Sequence, residues 1–242
     1  MRSYIAGALI LGLGLGASTS ATAETWVPAG RTVFSVGQSS QDSVWGLAGL
    51  KKGFSRWKGG QDWFAQSDTG DGELNQVDVA ADGTVWAVGR GYSIYHLQGD
   101  KWVRIEGRLD QITVGSAGEV WGTDSKGVVW RRENNAWKQM PGKLTWVDAG
   151  SDGSVWGVSR NNEVYRWEKG DWKLMPGTLK EISVEPGNIW GLGPRGEVFR
   201  WEEKAEGSHW VPVEGKLRHI HAGADGSVWG VTPTSVPVYL KR

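Results

Sequence analysis

Two groups of residues in this chain of 242 have types and spacings suited to chemistry. His219 and His221 stand at i and i+2, which on a strand points both imidazoles to one side, a spacing compatible with two metal ligands. Four short polar stretches, at Arg90, Asp124-Ser125-Lys126, Arg160-Asn161-Asn162 and Arg195, offer the donors and acceptors that fix ligand hydroxyls. With them go Trp57, Trp167 and Trp201, which fall outside the main aromatic repeat and are free to be surface aromatics, as is Trp146. A pyranose presents aliphatic C–H groups that an indole can cover, so this set suits carbohydrate recognition through a few polar groups beside aromatic platforms. The alternative for the loops is ordinary turn chemistry. For the histidines, with Gln76, Asp78, Asp148 and Ser183 at comparable strand positions, the alternative is a hydrated polar lining, and no metal or other cofactor is expected.

Bond-breaking machinery is missing. There is no cysteine and no Gly-x-Ser-x-Gly, and Ser151-Asp152-Gly153-Ser154-Val155-Trp156 is only a contracted form of the Asp box of propeller sialidases, with the wrong spacing. No enzyme is expected.

The elements that position these residues come from one repeat. Gly150-Ser151-Asp152-Gly153-Ser154-Val155-Trp156-Gly157 is its clearest copy, and the Val-Trp-Gly centre returns around Trp45, Trp86, Trp121, Trp190 and Trp229, the six tryptophans being 41, 35, 35, 34 and 39 residues apart. Self-similarity at such a period marks a repeat architecture. Taking 145–179 as the type, Trp146–Ala149 alternates as strand A, Asp152-Gly153 supplies a tight hairpin, and Ser154–Val158 is strand B. A polar loop leads to strand C, Glu163–Trp167. Glu168-Lys169-Gly170 turns into strand D, Asp171–Met175, which Pro176-Gly177 is expected to end. Strand D carries a Trp in every unit, at Trp63, Trp102, Trp137, Trp172 and Trp210, and extra residues fall only in turns, at 38–42, 67–71 and 204–208.

The sixth unit has strands A to C and then the chain stops, while Trp26-Val27-Pro28-Ala29-Gly30 near the other end matches Trp210-Val211-Pro212-Val213-Glu214-Gly215. The expectation is therefore an all-β, six-bladed β-propeller of four-stranded antiparallel blades, with the N-terminal strand completing the last blade and leaving no open edge. The strand B tryptophans are then the packing between blades, each burying roughly 150–250 Å².

Arg2, the apolar run Tyr4–Leu15 and Ala21-Thr22-Ala23 read as a secretory signal peptide over residues 1–23, giving a mature propeller of 24–242 that starts at Glu24. The run is too short to span a bilayer, so no membrane insertion is expected, and the address is secreted or periplasmic. The mature part holds 26 basic and 27 acidic groups, a balance that argues against nucleic acid as a partner. A monomer is expected.

The pattern Gly-x-Asp-Gly-x-Val-Trp-Gly, then Val-Tyr-Arg-Trp, a short turn, Trp and Pro-Gly-x-Leu resembles the tectonin β-propeller repeat, over essentially all of 24–242. Departures are Ala87 in place of Gly, the short Glu185-Pro186-Gly187 turn, and Thr232-Pro233-Thr234 in the last B–C loop. The resemblance implies a lectin: similar proteins of fungi, slime moulds, horseshoe crab and fish eggs recognise lipopolysaccharide or methylated surface glycans. Its implied sites lie between blades, and the B–C loop residues and tryptophans named above are the candidates. The competing reading is a non-catalytic extracytoplasmic protein-interaction scaffold, favoured by one asymmetric apolar patch where a lectin would repeat the same pocket.

Overall fold

The computed structural model describes residues 24–30, 32–40, 42–48, 54–57, 63–65, 74–116 and 118–241. The expected signal peptide and the 67–71 insertion lie outside these. No helix among the described residues is long and apolar enough to cross a membrane.

The described residues form six four-stranded antiparallel sheets, one per repeat. The N-terminal strand β1 (Thr25–Pro28) precedes the first blade, which holds β2 (Val33–Ser40), β3 (Ser43–Ala48), β4 (Phe54–Trp57) and β5 (Trp63–Ala65). The second holds β6 (Leu74–Val79), β7 (Val85–Gly89), β8 (Ile94–Gln98) and β9 (Lys101–Ile105). The third holds β10 (Gln111–Ser116), β11 (Glu119–Thr123), β12 (Val128–Glu133) and β13 (Ala136–Lys143). Then come β14 (Trp146–Ala149), β15 (Val155–Val158), β16 (Glu163–Glu168) and β17 (Asp171–Thr178) in the fourth, and β18 (Glu181–Glu185), β19 (Asn188–Leu192), β20 (Glu197–Glu202) and β21 (His209–Lys216) in the fifth. The sixth takes β22 (His219–Ala222), β23 (Val228–Val231) and β24 (Pro237–Lys241) from the C-terminal end and β1 from the N-terminal end. Thr25 pairs with Lys241 and Pro28 with Val238, so the ring closes through the N-terminal strand as expected.

Strands β13 and β17 continue past their Pro-Gly instead of stopping there. The register slips between Glu163, opposite Thr178, and Val164, opposite Met175, so Pro176-Gly177 forms a bulge on the outermost strand. An outer strand has no further partner, so the missing proline N–H costs no ladder bond.

The bulge is where neighbouring blades clasp. Trp210 donates its indole N–H to the Pro176 carbonyl at 2.8 Å, and Trp137, Trp172 and Trp26 do the same to Glu106, Pro141 and Glu214. Gly177 lies under that ring with φ +117°, and a Cβ there would sit 2.6 Å from the Trp210 indole. The recurrence of Trp in strand D with Gly in the preceding exit turn is thus one contact repeated at four junctions among the described residues, and Trp26 makes it for the closing strand. The Val-Trp-Gly glycine answers a second contact: a Cβ on Gly157 would stand 2.4 Å from Leu144, whose side chain enters from the preceding linker.

All six strand B tryptophans are buried. The packing partner of each is the next blade's strand C, and this corrects the expectation for Trp57, Trp167 and Trp201. They share one position of the repeat, pairing with Trp63, Trp172 and Trp210 of their own blades, and Leu97, Arg132 and Leu240 fill it elsewhere. Trp57 meets Trp229 at 4.7 Å between ring centres, Trp167 meets Trp121 at 5.6 Å and Trp201 meets Trp156 at 5.4 Å, all edge to face. Trp57 and Trp201 are buried and Trp167 half-buried, so they are inter-blade core and not surface platforms. Trp146 is half-buried and donates to the Ile182 carbonyl at 2.8 Å.

Candidate functional site

The inner strands line the central channel, and they diverge too far to share backbone ladders. Side chains act as rungs between them. Gln76 accepts from Ile112 N, Asp78 from Val114 N, Asp148 from Val184 N, Glu181 from Ile220 N and Ser183 from Ala222 N. Polar residues on strand A are therefore what satisfies its exposed backbone groups.

His219 and His221 both face this channel, where neither is arranged as a metal ligand. His219 places Nδ1 2.7 Å from Glu181 and Nε2 2.9 Å from the Val36 carbonyl, so both nitrogens must donate. His221 likewise places Nε2 2.5 Å from Asp78 and Nδ1 3.1 Å from the Ala222 carbonyl. A metal needs the lone pair of a neutral imidazole, and no cluster of three or more ligating side chains occurs among the described residues.

The electrostatics agree. Burial disfavours the His221 cation, but the Asp78 charge and hydrogen bond, with Asp148 and Glu185 behind it, outweigh that and lift His221 to about 9. Burial, reinforced by the Asp78 charge, pushes Asp148 up to about 7. Burial also opposes the Asp78 charge, yet His221 holds Asp78 below its usual value. The channel residues seen from sequence are thus brought together as a structural plug.

The B–C loop candidates are not brought together. They lie one group per blade, and each is engaged in its own turn. Asp124 accepts from Lys126 N and Val128 N, Asn162 takes φ +63° and its carbonyl accepts from Leu179 N, and Arg195 pairs with Glu197 at 2.7 Å. Ser125, Lys126, Arg90, Arg160 and Asn161 are exposed.

Two cavities among the described residues lie at the other end of the blades, where the A–B and C–D turns gather. One, of about 640 Å³, opens between the fourth and fifth blades. Its wall is Trp156 and Trp201, with Ile189 beside them, and its rim is Asp152, Glu185, Arg166 and Arg200. Of the candidate residues only Trp201 reaches it. A second, of about 370 Å³, repeats the arrangement at the sixth blade with Asp225, Ser227, Trp229 and Tyr239 at the positions of Asp152, Ser154, Trp156 and Arg166.

Arg166 and Arg200 are set by pairing. Each stands opposite its blade's strand B Trp, with the guanidinium 5.5 Å from the Trp156 ring centre and 6.0 Å from that of Trp190. Arg166 pairs with Glu168 and with Glu203, and Arg200 reaches Glu24 at 2.8 Å and Glu202 at 3.0 Å. Both cations are thereby neutralised. Glu185 accepts from the Ser151 hydroxyl at 2.6 Å, and burial raises its pKa. The Trp201 indole N–H is buried with no acceptor, and the described hydrogen bonds include none from the Trp156 indole.

The sequence showed the Val-Tyr-Arg-Trp strand, yet Arg166 and Arg200 were missed as site residues. The signal was there in the recurrence of Arg before Trp at 56, 166 and 200.

Among solved structures the chain is similar to YCF48 from Cyanidioschyzon merolae, at 16% identity over 87% of this chain and 82% of that one, with a TM-score of 0.54. It is similar to virginiamycin B lyase from Staphylococcus aureus, at 14% identity over 90% and 99%, with a TM-score of 0.60. The WD40 β-propeller domain of Doa1 aligns at 10% identity over 90% and 97%, with a TM-score of 0.62. Such identities show the propeller fold alone. No curated protein matches. The Tectonin domain model matches residues 73–241, which covers strands β6 to β24 just described, and the chain belongs to the Tectonin family.

Proposed function

We propose that this protein is an exported, non-catalytic lectin that holds cell-surface glycans in crevices between its blades. The observation that carries the reading is the cavity between the fourth and fifth blades. It offers a buried indole N–H with no acceptor and the two arginines as donors, carboxylates as acceptors, and an apolar wall. A polyhydroxylated ligand uses both kinds of group, and a few such groups on an apolar surface are what a small-molecule site needs. A smaller cavity beside Asp225, Ser227, Trp229 and Tyr239 lies at the sixth blade, and weak sites repeated on one ring gain avidity on a multivalent surface.

Because Arg166 and Arg200 are neutralised by glutamates, the crevice suits neutral or O-methylated saccharide, including the sugars of lipopolysaccharide, over its phosphates. The indoles act through their N–H edges, since their faces are packed between blades.

The test applies protein spanning 24–242 to an array of bacterial polysaccharides, lipopolysaccharide cores and O-methylated sugars, with Trp fluorescence titration of each hit. Binding competed by free saccharide and weakened at least about tenfold in Arg200→Ala supports the reading. Silence across the array from folded protein overturns it in favour of a protein-binding scaffold. Export is tested by the mass of the protein from its native host, which should begin at Glu24.

A further inference from the structure

The crevices are not alike, and the difference traces to one position, two residues before each strand B tryptophan. In the third blade it is Glu119, which accepts from the Trp121 indole N–H at 3.1 Å and pairs with Arg131 at 2.8 Å. In the fifth it is Asn188, which is buried, accepts from the Trp190 indole at 2.8 Å, and donates across the crevice to the Gly223 and Ser227 carbonyls of the sixth blade, both at 3.1 Å. A long polar side chain thus fills the space beside the indole and satisfies it.

In the fourth and sixth blades the position is Ser154 and Ser227, and a cavity opens beside each of them. Both serines follow an Asp-Gly turn whose Asp side chain accepts the serine N–H, at 2.9 Å from Asp152 and 3.0 Å from Asp225. Thr84 of the second blade sits in the same turn behind Asp82, and the Trp86 indole N–H is buried without an acceptor. A buried polar group left unpaired is uncommon.

We propose that this position is the gate of the ligand sites: Ser154 and Ser227 keep their crevices open, and Glu119 and Asn188 seal theirs with a built-in substitute for the ligand's hydroxyls. The proposal rests on the lectin reading for what enters, and it adds which crevices admit it. The open sites also differ. Tyr239 replaces Arg166 at the sixth blade, and the cavity there is smaller.

The gate can be read with and without sugar, in full-length mature protein carrying ¹⁵N-tryptophan. Each indole N–H gives its own NMR signal. Solvent exchange at Trp156 should be at least tenfold faster than at Trp121 and Trp190. Ser154→Glu should slow Trp156 to the rate of Trp121, and Glu119→Ser should free Trp121. Equal exchange at Trp121 and Trp156 in the parent, or no response to either substitution, overturns the gate whatever sugars do. As every variant shows its folded state in the remaining indole signals, loss of fold is recognised directly, and Ser154→Asn then serves as the milder closure.

In the same samples 3-O-methyl-D-glucose and methyl α-D-mannopyranoside are titrated. The expected result is shifts at Trp156 and Trp229, silence at Trp121 and Trp190, and loss of the Trp156 response in Ser154→Glu. Shifts of equal size at all four overturn the gate. No shift with either sugar while exchange follows the gate leaves the gate standing and counts against the lectin reading.

Discussion

His221 Nε2 stands 2.5 Å from Asp78 Oδ1, joining the sixth blade to the second across the channel and past the first. The first blade's residue at that level is Gly37, opposite Trp45 as Asp78 is opposite Trp86 and His221 opposite Trp229, and a glycine leaves the way clear. A Cβ at Gly37 would also come within 2.8 Å of the Val77 carbonyl. The pair ties the blade that closes the ring to one beyond the joint.

That pair sets a pH dependence. His221 is raised from 6.5 to about 9 in the folded protein, so the native state holds a proton that the unfolded chain has lost. The contribution is fully present below pH 6.5 and disappears as pH rises through 9. Its size is on the order of 3 kcal/mol. Asp78, Asp148, Glu185 and His219 are the charged groups around it. Thermal unfolding followed from pH 6.5 to 9 should show a falling midpoint, with a flatter profile in His221→Gln.

The clasp predicts intolerance of any side chain at Gly177. Alanine there combines a positive φ with a collision against Trp210, and each of these typically costs about 1–3 kcal/mol. Urea unfolding of Gly177→Ala should lose at least about 2 kcal/mol. A stability within error of the parent would mean that the clasp is slack.

Trp26 gives the corresponding prediction at the closure. Its indole donates to Glu214 and its ring covers Gly215, joining β1 to the fifth blade. Trp26→Ala should cost about 3–5 kcal/mol, as large aromatic truncations do. Hydrogen exchange should find β1 and β24 opening before the other blades. Uniform exchange throughout the ring would count against a weak closing strand.

At the crevice, Arg166→Ala should lower affinity for any glycan hit by about tenfold at the fourth-blade site and leave the sixth-blade site untouched. Titration following Trp156 and Trp229 separately reads this. Equal loss at both would place the effect in the ring as a whole.

Six blades, their meander order and the closure by Trp26–Gly30 were legible in the sequence because each rests on local signals: a period near 35, Asp-Gly turns, alternation and a matching end segment. The buried fate of the Val-Trp-Gly tryptophans follows from the same period. Tertiary structure alone decided what faces what between blades. Trp57, Trp167 and Trp201 look irregular along the chain, yet they share one position with Leu97, Arg132 and Leu240, and each packs on a tryptophan of the preceding blade. The crevices likewise depend on whether Ser154 or Glu119 stands beside an indole whose other walls come from the next repeat, a distance fixed by how the blades lean together. Pro176-Gly177 was expected to stop a strand because proline lacks an N–H. On an outer strand that donor has no partner to lose, and only the assembled blade shows which strand is outermost.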